Sequence, residues 1–219
     1  MSTNTKAEYE QFEDFGGGHN METWGVGTEV VSYTSDEAGG VIKLATGASD
    51  DDNVVIAAKG FQPSLGVVWA EAKMKAAVLT LNSFNFGFTD TLDGTTPVLP
   101  FEYATTTLTT APVSGAAFLY DVDGTTDVLR LGAVKANVDT VNQAAGEPNV
   151  LTADTYITLR VEMDPNGTVR WYADGKLLKE QTSAITPATV HFAFAMAEAR
   201  SASSRDIEID YFTFHGNRQ

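Results

Sequence analysis

The sequence predicts an all-β fold: a two-sheet antiparallel sandwich with a short N-terminal arm. Three observations carry that prediction. The first is the stretch Thr155–Leu178, TYITLRVEMDPNGTVRWYADGKLL, which reads as three strands and two tight turns. Ile157, Leu159, Val161 and Met163 alternate with Thr158, Arg160 and Glu162, a period of two with one apolar face. Asp164-Pro165-Asn166-Gly167 supplies turn chemistry, because proline presets φ and Asn-Gly tolerates positive φ. Val169, Trp171 and Ala173 form the next apolar row, and Asp174-Gly175 is a two-residue hairpin signal. The second observation is that strand signals recur along the whole chain with turn residues between them. The third is that helical periodicity is almost absent. Many short strands without helices imply two packed sheets.

Taken in order, residues 1–20 form the arm and residues 21–219 one domain. The arm is polar and aromatic and ends in Gly16-Gly17-Gly18. Thr5-Lys6-Ala7-Glu8 has capping-box spacing, and Tyr9, Phe12 and Phe15 follow at steps of three. A short helix and a short extended piece at a sheet edge fit this segment equally well. Strands are then expected over Glu22–Val26, Thr28–Thr34, Gly40–Thr46, Asn53–Lys59, Val67–Leu81, Ser83–Thr89, Ala116–Val122 and Asp127–Lys135. Beyond the meander, Ala188–Glu198 and Asp206–Phe214 complete the set. In the long strand, Val68, Ala70, Ala72, Met74, Ala76 and Val78 line one face, and Trp69, Glu71, Lys73 and Lys75 the other. Val190, Phe192, Phe194 and Met196 form another apolar row, opposed by His191, Ala193, Ala195 and Ala197. The stretch Thr89–Ser114 is rich in Thr and Pro and has little strand pattern. A loop that long is either functional, packed against a partner, or a polar surface excursion.

At 219 residues the chain is long enough for one large β domain with a substantial core. Cysteine is absent, so disulfides, thiolate metal sites and cysteine nucleophiles are excluded. The polar start MSTNTKAEYE has no apolar signal region, and no run approaches membrane-spanning length. A soluble protein made in a cytoplasm is expected. Acidic side chains number 29 and basic ones 14, a net charge of −15. That balance argues against nucleic acid and against an anionic membrane surface as partners, since both need clustered Lys and Arg. Solubility accounts for it most simply.

The order of elements carries a resemblance. FEDFGGG is followed by a Trp strand, GGVIKLATGAS, VVWAEAKMK, NFGFTD, GAAFLYDVDGTTDVLRLGAVK, the meander, and finally SRDIEIDYFTF. This resembles the concanavalin A-like (laminin-G-like) jelly roll, in the version found in structural proteins of tailed bacteriophages. The resemblance covers nearly all residues after about Phe12, and its motifs are structural ones. It implies a non-enzymatic virion protein, an accessory protein that decorates or stabilises the outer surface of the capsid. The major capsid protein would be its partner. Because decorating proteins sit on local symmetry axes, a homotrimer is expected. Tyr9, Phe12 and Phe15 would anchor the arm on a neighbour. The alternative the resemblance leaves open is a carbohydrate-binding adhesion protein of a head fibre, tail or spike, recognising host surface glycans.

The same fold houses retaining glucanases, which resemble one another in an E-x-D-x-(x)-E strand. Here Glu208-Ile209-Asp210-Tyr211-Phe212-Thr213 comes closest, but Phe212 or Thr213 stands where the proton donor belongs. No catalytic set is therefore expected, and Asp206, Glu208 and Asp210 read as a solvated stripe. Asp121, Asp123 and Asp127 have oxygen-ligand spacing suited to calcium (Ca2+), with Gly124 for the bend. The reading preferred for them is an Asp-Gly turn joining the Ala116–Val122 and Asp127–Lys135 strands. Asp50-Asp51-Asp52 reads as a solvated loop. His19, His191 and His215 lie near no nucleophile motif, and no phosphate-binding glycine loop is present. Trp69, on a face shared with Glu71 and Lys73, is the candidate platform for a sugar, against the preferred reading of a semi-buried tryptophan under a covering loop or a neighbouring subunit.

Overall fold

The computed structural model describes residues 8–15, 21–26, 30–34, 40–146 and 151–217. In chain order the strands are β1 (Glu8–Glu13), β2 (Glu22–Val26), β3 (Val30–Thr34), β4 (Val41–Ala45), β5 (Asn53–Phe61), β6 (Val68–Lys75) and β7 (Asn82–Thr89). Then follow β8 (Phe101–Ala104), β9 (Thr107–Thr110), β10 (Ser114–Asp121), β11 (Arg130–Lys135) and β12 (Val138–Ala144). The last five are β13 (Ile157–Met163), β14 (Val169–Ala173), β15 (Lys176–Gln181), β16 (His191–Ala199) and β17 (Asp206–Asn217). They build an eight-stranded sheet in the order β15-β14-β13-β6-β17-β4-β3, with β1 also on β17. A seven-stranded sheet runs β12-β11-β10-β7-β16-β5-β2, and β8 and β9 form a separate hairpin. Every pairing within the two large sheets is antiparallel.

The meander folds as its alternation requires. Leu159, Val161, Met163, Val169 and Trp171 are fully buried. The first turn closes through Gly167 N–H to Asp164 O at 2.9 Å, with Gly167 at φ +81°. Asp174 and Gly175 both have positive φ, the geometry that matches hairpin twist. On β6, Val68, Ala70, Ala72 and Met74 point into the core, while Trp69, Glu71, Lys73 and Lys75 face out. The strand ends at Lys75, six residues before the expected end.

The main core lies between the sheets and includes Phe84, Phe86, Phe88, Phe118, Trp171, Phe212 and Phe214. Small residues on the facing strands let the sheets close: Ala193, Ala195 and Ala197 of β16 all face this core. The apolar row read on that strand therefore points the other way. Phe194 and Met196 belong to a second core on the outer side of the seven-stranded sheet. Gly87 sits where β7 passes β10, and a Cβ there would meet Ala116 O at 2.3 Å. Only glycine allows that approach.

Residues 8–13 form β1, paired in register from Glu8↔Asn217 to Glu13↔Phe212. Of the two conformations that fit the sequence, the extended one is found. Residues 5–7, the glycines at 16–18 and His19 lie outside the described residues, as does the Trp24 side chain.

Candidate functional site

Two faces of the sandwich can be compared as sites. The outer face of the seven-stranded sheet is closed by the chain itself. Residues 90–113 fold back over it, and the β8–β9 hairpin packs Leu99, Phe101, Tyr103 and Leu108 onto Val55, Ala57, Ala117, Leu119, Val134, Phe194 and Met196. Burying each large apolar side chain contributes roughly 1.5–3 kcal/mol, so the excursion is a second core and not a loose flap. Asn85 clasps it twice, receiving Phe101 N–H at 2.8 Å and donating to Phe101 O at 3.0 Å. Asp90 closes its base by accepting the N–H groups of Val113 at 3.1 Å and Ser114 at 3.0 Å.

One end of this closed face carries a row of polar side chains. Asp121 and Glu198 both lie opposite Ser83, and Glu198 lies opposite Asn53. Arg200 caps the row. Its Nε donates to Asp121 Oδ1 at 3.1 Å and its Nη2 to Oδ2 at 2.8 Å. Nη1 stands 2.8 Å from Glu198 and 3.2 Å from Asp51, and Asp123 and Glu102 approach within 3.5 and 3.9 Å. Asp121 also accepts Tyr103 N–H at 3.0 Å, which ties the hairpin to the cluster. Burial pushes the Glu198 carboxyl up to about 8 against the opposing pull of Arg200. Burial likewise raises Glu102 and Asp123.

At the other end, Ser114 Oγ and His191 Nε2 are 2.9 Å apart, and His191 Nδ1 is 2.9 Å from Thr189 O. Ser114 Oγ also accepts Thr186 N–H at 2.9 Å. Both residues are fully buried. A serine–histidine pair with no solvent path is a clasp. Burial holds the imidazole near 4, so it is neutral at ordinary pH.

The outer face of the eight-stranded sheet is open. Asp206, Glu208 and Asp210 lie there, and each meets a lysine. Lys43 pairs with Asp206, Lys75 reaches Glu208 at 3.2 Å, and Lys73 reaches Asp210 at 2.5 Å. Further along, Arg160 bridges Glu71 and Glu162, and Arg170 bridges Glu162, Asp164 and Glu180. Aromatic rings interrupt this lattice. A bulge between Ile209 and Tyr211 keeps Asp210 and Tyr211 facing out together. Tyr211 donates to Glu71 at 2.9 Å and stacks on Phe12, with ring centres 5.6 Å apart.

Trp69 lies on this open face, half-buried. His215 of β17 stacks on its ring at 5.7 Å, and the Arg160 guanidinium of β13 lies 4.3 Å from the ring centre. These partners come from the strands on either side of β6, so the indole is flanked from both. Asp121 and Asp123 meet at Arg200, while Asp127 is exposed in the turn beyond. Among the described residues no group of three or more His, Asp or Glu is placed to hold a metal ion. The three arm aromatics separate. Tyr9 packs on Phe61 and Phe214, and Phe15 is 2% exposed in this chain's own core. Phe12, 60% exposed, faces out.

Sequence reasoning missed Glu198 and Arg200. A signal was present: both continue the even-numbered row of Phe194 and Met196, where an ionisable side chain must be buried with a partner or give up its charge.

No family model matches the sequence, and no curated protein matches it. Solved structures do match. The β-glucanase of Bacillus licheniformis is 16% identical, with 95% of this chain and 98% of that one covered and a TM-score of 0.63. Peanut lectin is 14% identical, with 95% and 97% covered and a TM-score of 0.62. The carbohydrate recognition domain of Emp47p is 16% identical, with 96% of each chain covered and a TM-score of 0.62. Lectins and glycosidases thus share this architecture, and at such identities the likeness speaks for the fold. The chain has the concanavalin A-like jelly-roll fold.

Proposed function

We propose that this chain is a non-enzymatic structural protein of a virion, an accessory protein on the outer surface of a tailed-phage capsid. The observation that supports a non-enzymatic role is the closed outer face of the seven-stranded sheet. Its two buried acidic side chains, Asp121 and the proton-holding Glu198, both lie against Arg200. The acidic stripe on the other face is neutralised by lysines. With these acidic groups engaged among the described residues, work through surfaces is the reading we favour. The virion setting, the major capsid protein as partner and the homotrimer rest on the sequence resemblance. The test is saturable, symmetric occupancy of purified heads by added protein, with heads lacking it bursting at lower temperature. Absence of head binding ends this reading. Release of reducing sugar from β-glucans that is lost in Glu198→Gln would end the non-enzymatic part.

A second reading is carbohydrate binding in host adhesion. What favours it is the likeness to lectins together with the outward-facing rings of exposed Phe12 and half-buried Tyr211 and Trp69 among Glu71 and Arg160. Rings beside paired polar groups suit the apolar and hydroxyl faces of a sugar. Binding on a glycan array that falls at least tenfold in Trp69→Ala or Tyr211→Ala supports this reading, and an array without signal removes it.

A further inference from the structure

We infer that β1 is an exchangeable strand, and that its seat on β17 accepts β1 from a second copy of this chain. The inference rests on the assembly part of the reading above and names the contact through which copies would hold one another. β17 is twelve residues long. On one side β6 runs beside Glu208–His215. On the other, β4 pairs only with Asp206–Ile209. The rest of that edge, Phe212–Asn217, is filled by β1.

The seat is specific. Thr213 Oγ1 donates to Gln11 O at 3.0 Å. Tyr9 drops between Phe61 and Phe214, at 6.1 and 6.0 Å, and Phe12 lies over Tyr211. An edge of this kind left empty would expose unpaired backbone groups beside buried phenylalanines. It must be filled, but nothing in it distinguishes its own β1 from a neighbour's.

β1 is also held differently from the strands of the sandwich interior. It lies off the linear order of the eight-stranded sheet, as a second strand on one edge of β17, and among the described strands it pairs with β17 alone. It belongs to the eight-stranded sheet, whereas β2 lies in the seven-stranded one. Phe15 and Met21, both buried, bracket residues 16–20, GGGHN. That stretch reaches at most about 20 Å when extended. Cis and trans pairing make the same contacts, so the linker and the local concentration decide between them. Copies crowded on a surface favour exchange, provided each neighbour's β17 lies within that reach of Met21. The β17 ends of adjoining copies are thereby drawn to a shared axis.

The chain has no cysteine, which permits a clean test. Glu10 faces His215 and Phe12 faces Thr213 across the β1–β17 pair, at spacing a disulfide can bridge. Full-length Glu10→Cys and His215→Cys chains are mixed, oxidised and run without reductant. Phe12→Cys with Thr213→Cys is the second pair, and each double variant in one chain serves as control. Exchange gives, from the mixed single variants, a disulfide joining position 10 of one chain to position 215 of another, identified by peptide mass in the band at twice the 23.4 kDa chain mass, with no such mixed disulfide when Glu10→Cys is combined with a Ser32→Cys control. If the double variants close only within one chain and the mixtures give no cross-chain product, exchange is overturned. If no disulfide forms in either pair, the β1 seat itself is wrong and the inference falls. Head binding without cross-linking would leave the capsid reading standing and remove this one.

Discussion

Arg200 grips Asp121 through a two-point fork, Nε to Oδ1 at 3.1 Å and Nη2 to Oδ2 at 2.8 Å, with the Asp121 side chain fully buried. Removing one partner of such a pair strands a charge in the interior. Arg200→Met is expected to cost about 3–5 kcal/mol, read as a lower midpoint in urea unfolding. Arg200→Met with Asp121→Asn should recover part of that loss. A single variant as stable as the parent would show that the guanidinium is dispensable.

Glu198 gives a pH dependence of known sign. Folded, the carboxyl holds its proton to about 8, while the unfolded chain releases it near 4.5. The stability it contributes is full below 4.5 and is lost as pH rises through 8. Glu198→Gln, which cannot ionise, should therefore gain on the parent in melting temperature as pH goes from 5 to 8.5. A difference that stays flat across that range would contradict the burial argument.

His191 acts in the opposite direction along the pH scale. The unfolded imidazole takes a proton near 6.5, and the folded one resists until about 4. Its contribution is full above 6.5 and falls away between 6.5 and 4, by about 3 kcal/mol at the limit. The parent should lose stability over that window, and His191→Gln should lose much less. Equal slopes in both proteins would assign the acid loss to other groups.

The hairpin over the seven-stranded sheet should come loose without loss of the main core. Asn85→Ala leaves the Phe101 backbone N–H and C=O without their buried partner, at about 1–3 kcal/mol. Phe101→Ala should cost about 3–5 kcal/mol. Both are expected to open cleavage sites between residues 97 and 110 in limited proteolysis while far-ultraviolet dichroism stays near that of the parent. Cleavage elsewhere first would mean the excursion is not the separable unit.

Much of the fold was legible because period-two alternation reports a strand with one buried face. The meander and β6 follow it closely. β16 shows where this fails. Phe194 and Met196 form the apolar row, yet Ala193, Ala195 and Ala197 face the main core. Alternation identifies two faces but cannot say which one meets the other sheet when both are covered. The β8–β9 hairpin was illegible for a related reason. Phe101 and Tyr103 alternate over only four residues inside a Thr-rich run, too short a pattern to separate from a loop. β12, with one buried residue, Val141, offered no row at all.

The candidate site was less legible than the fold. Asp121 and Asp123 stood out as an acidic turn, but their partner Arg200 lies nearly eighty residues later, brought in by strand pairing across Ser83. Trp69 was placed on the right face of β6, yet His215 and Arg160, which flank its ring, come from strands far away in sequence.

By itself the sequence determined that this chain is an all-β sandwich, because alternation and turn chemistry act over a few residues and are written locally. Only the tertiary structure decided which face is closed and which is open. That depends on where residues 90–113 come to rest and on which charges meet, and both are set by contacts between segments that the chain order keeps apart.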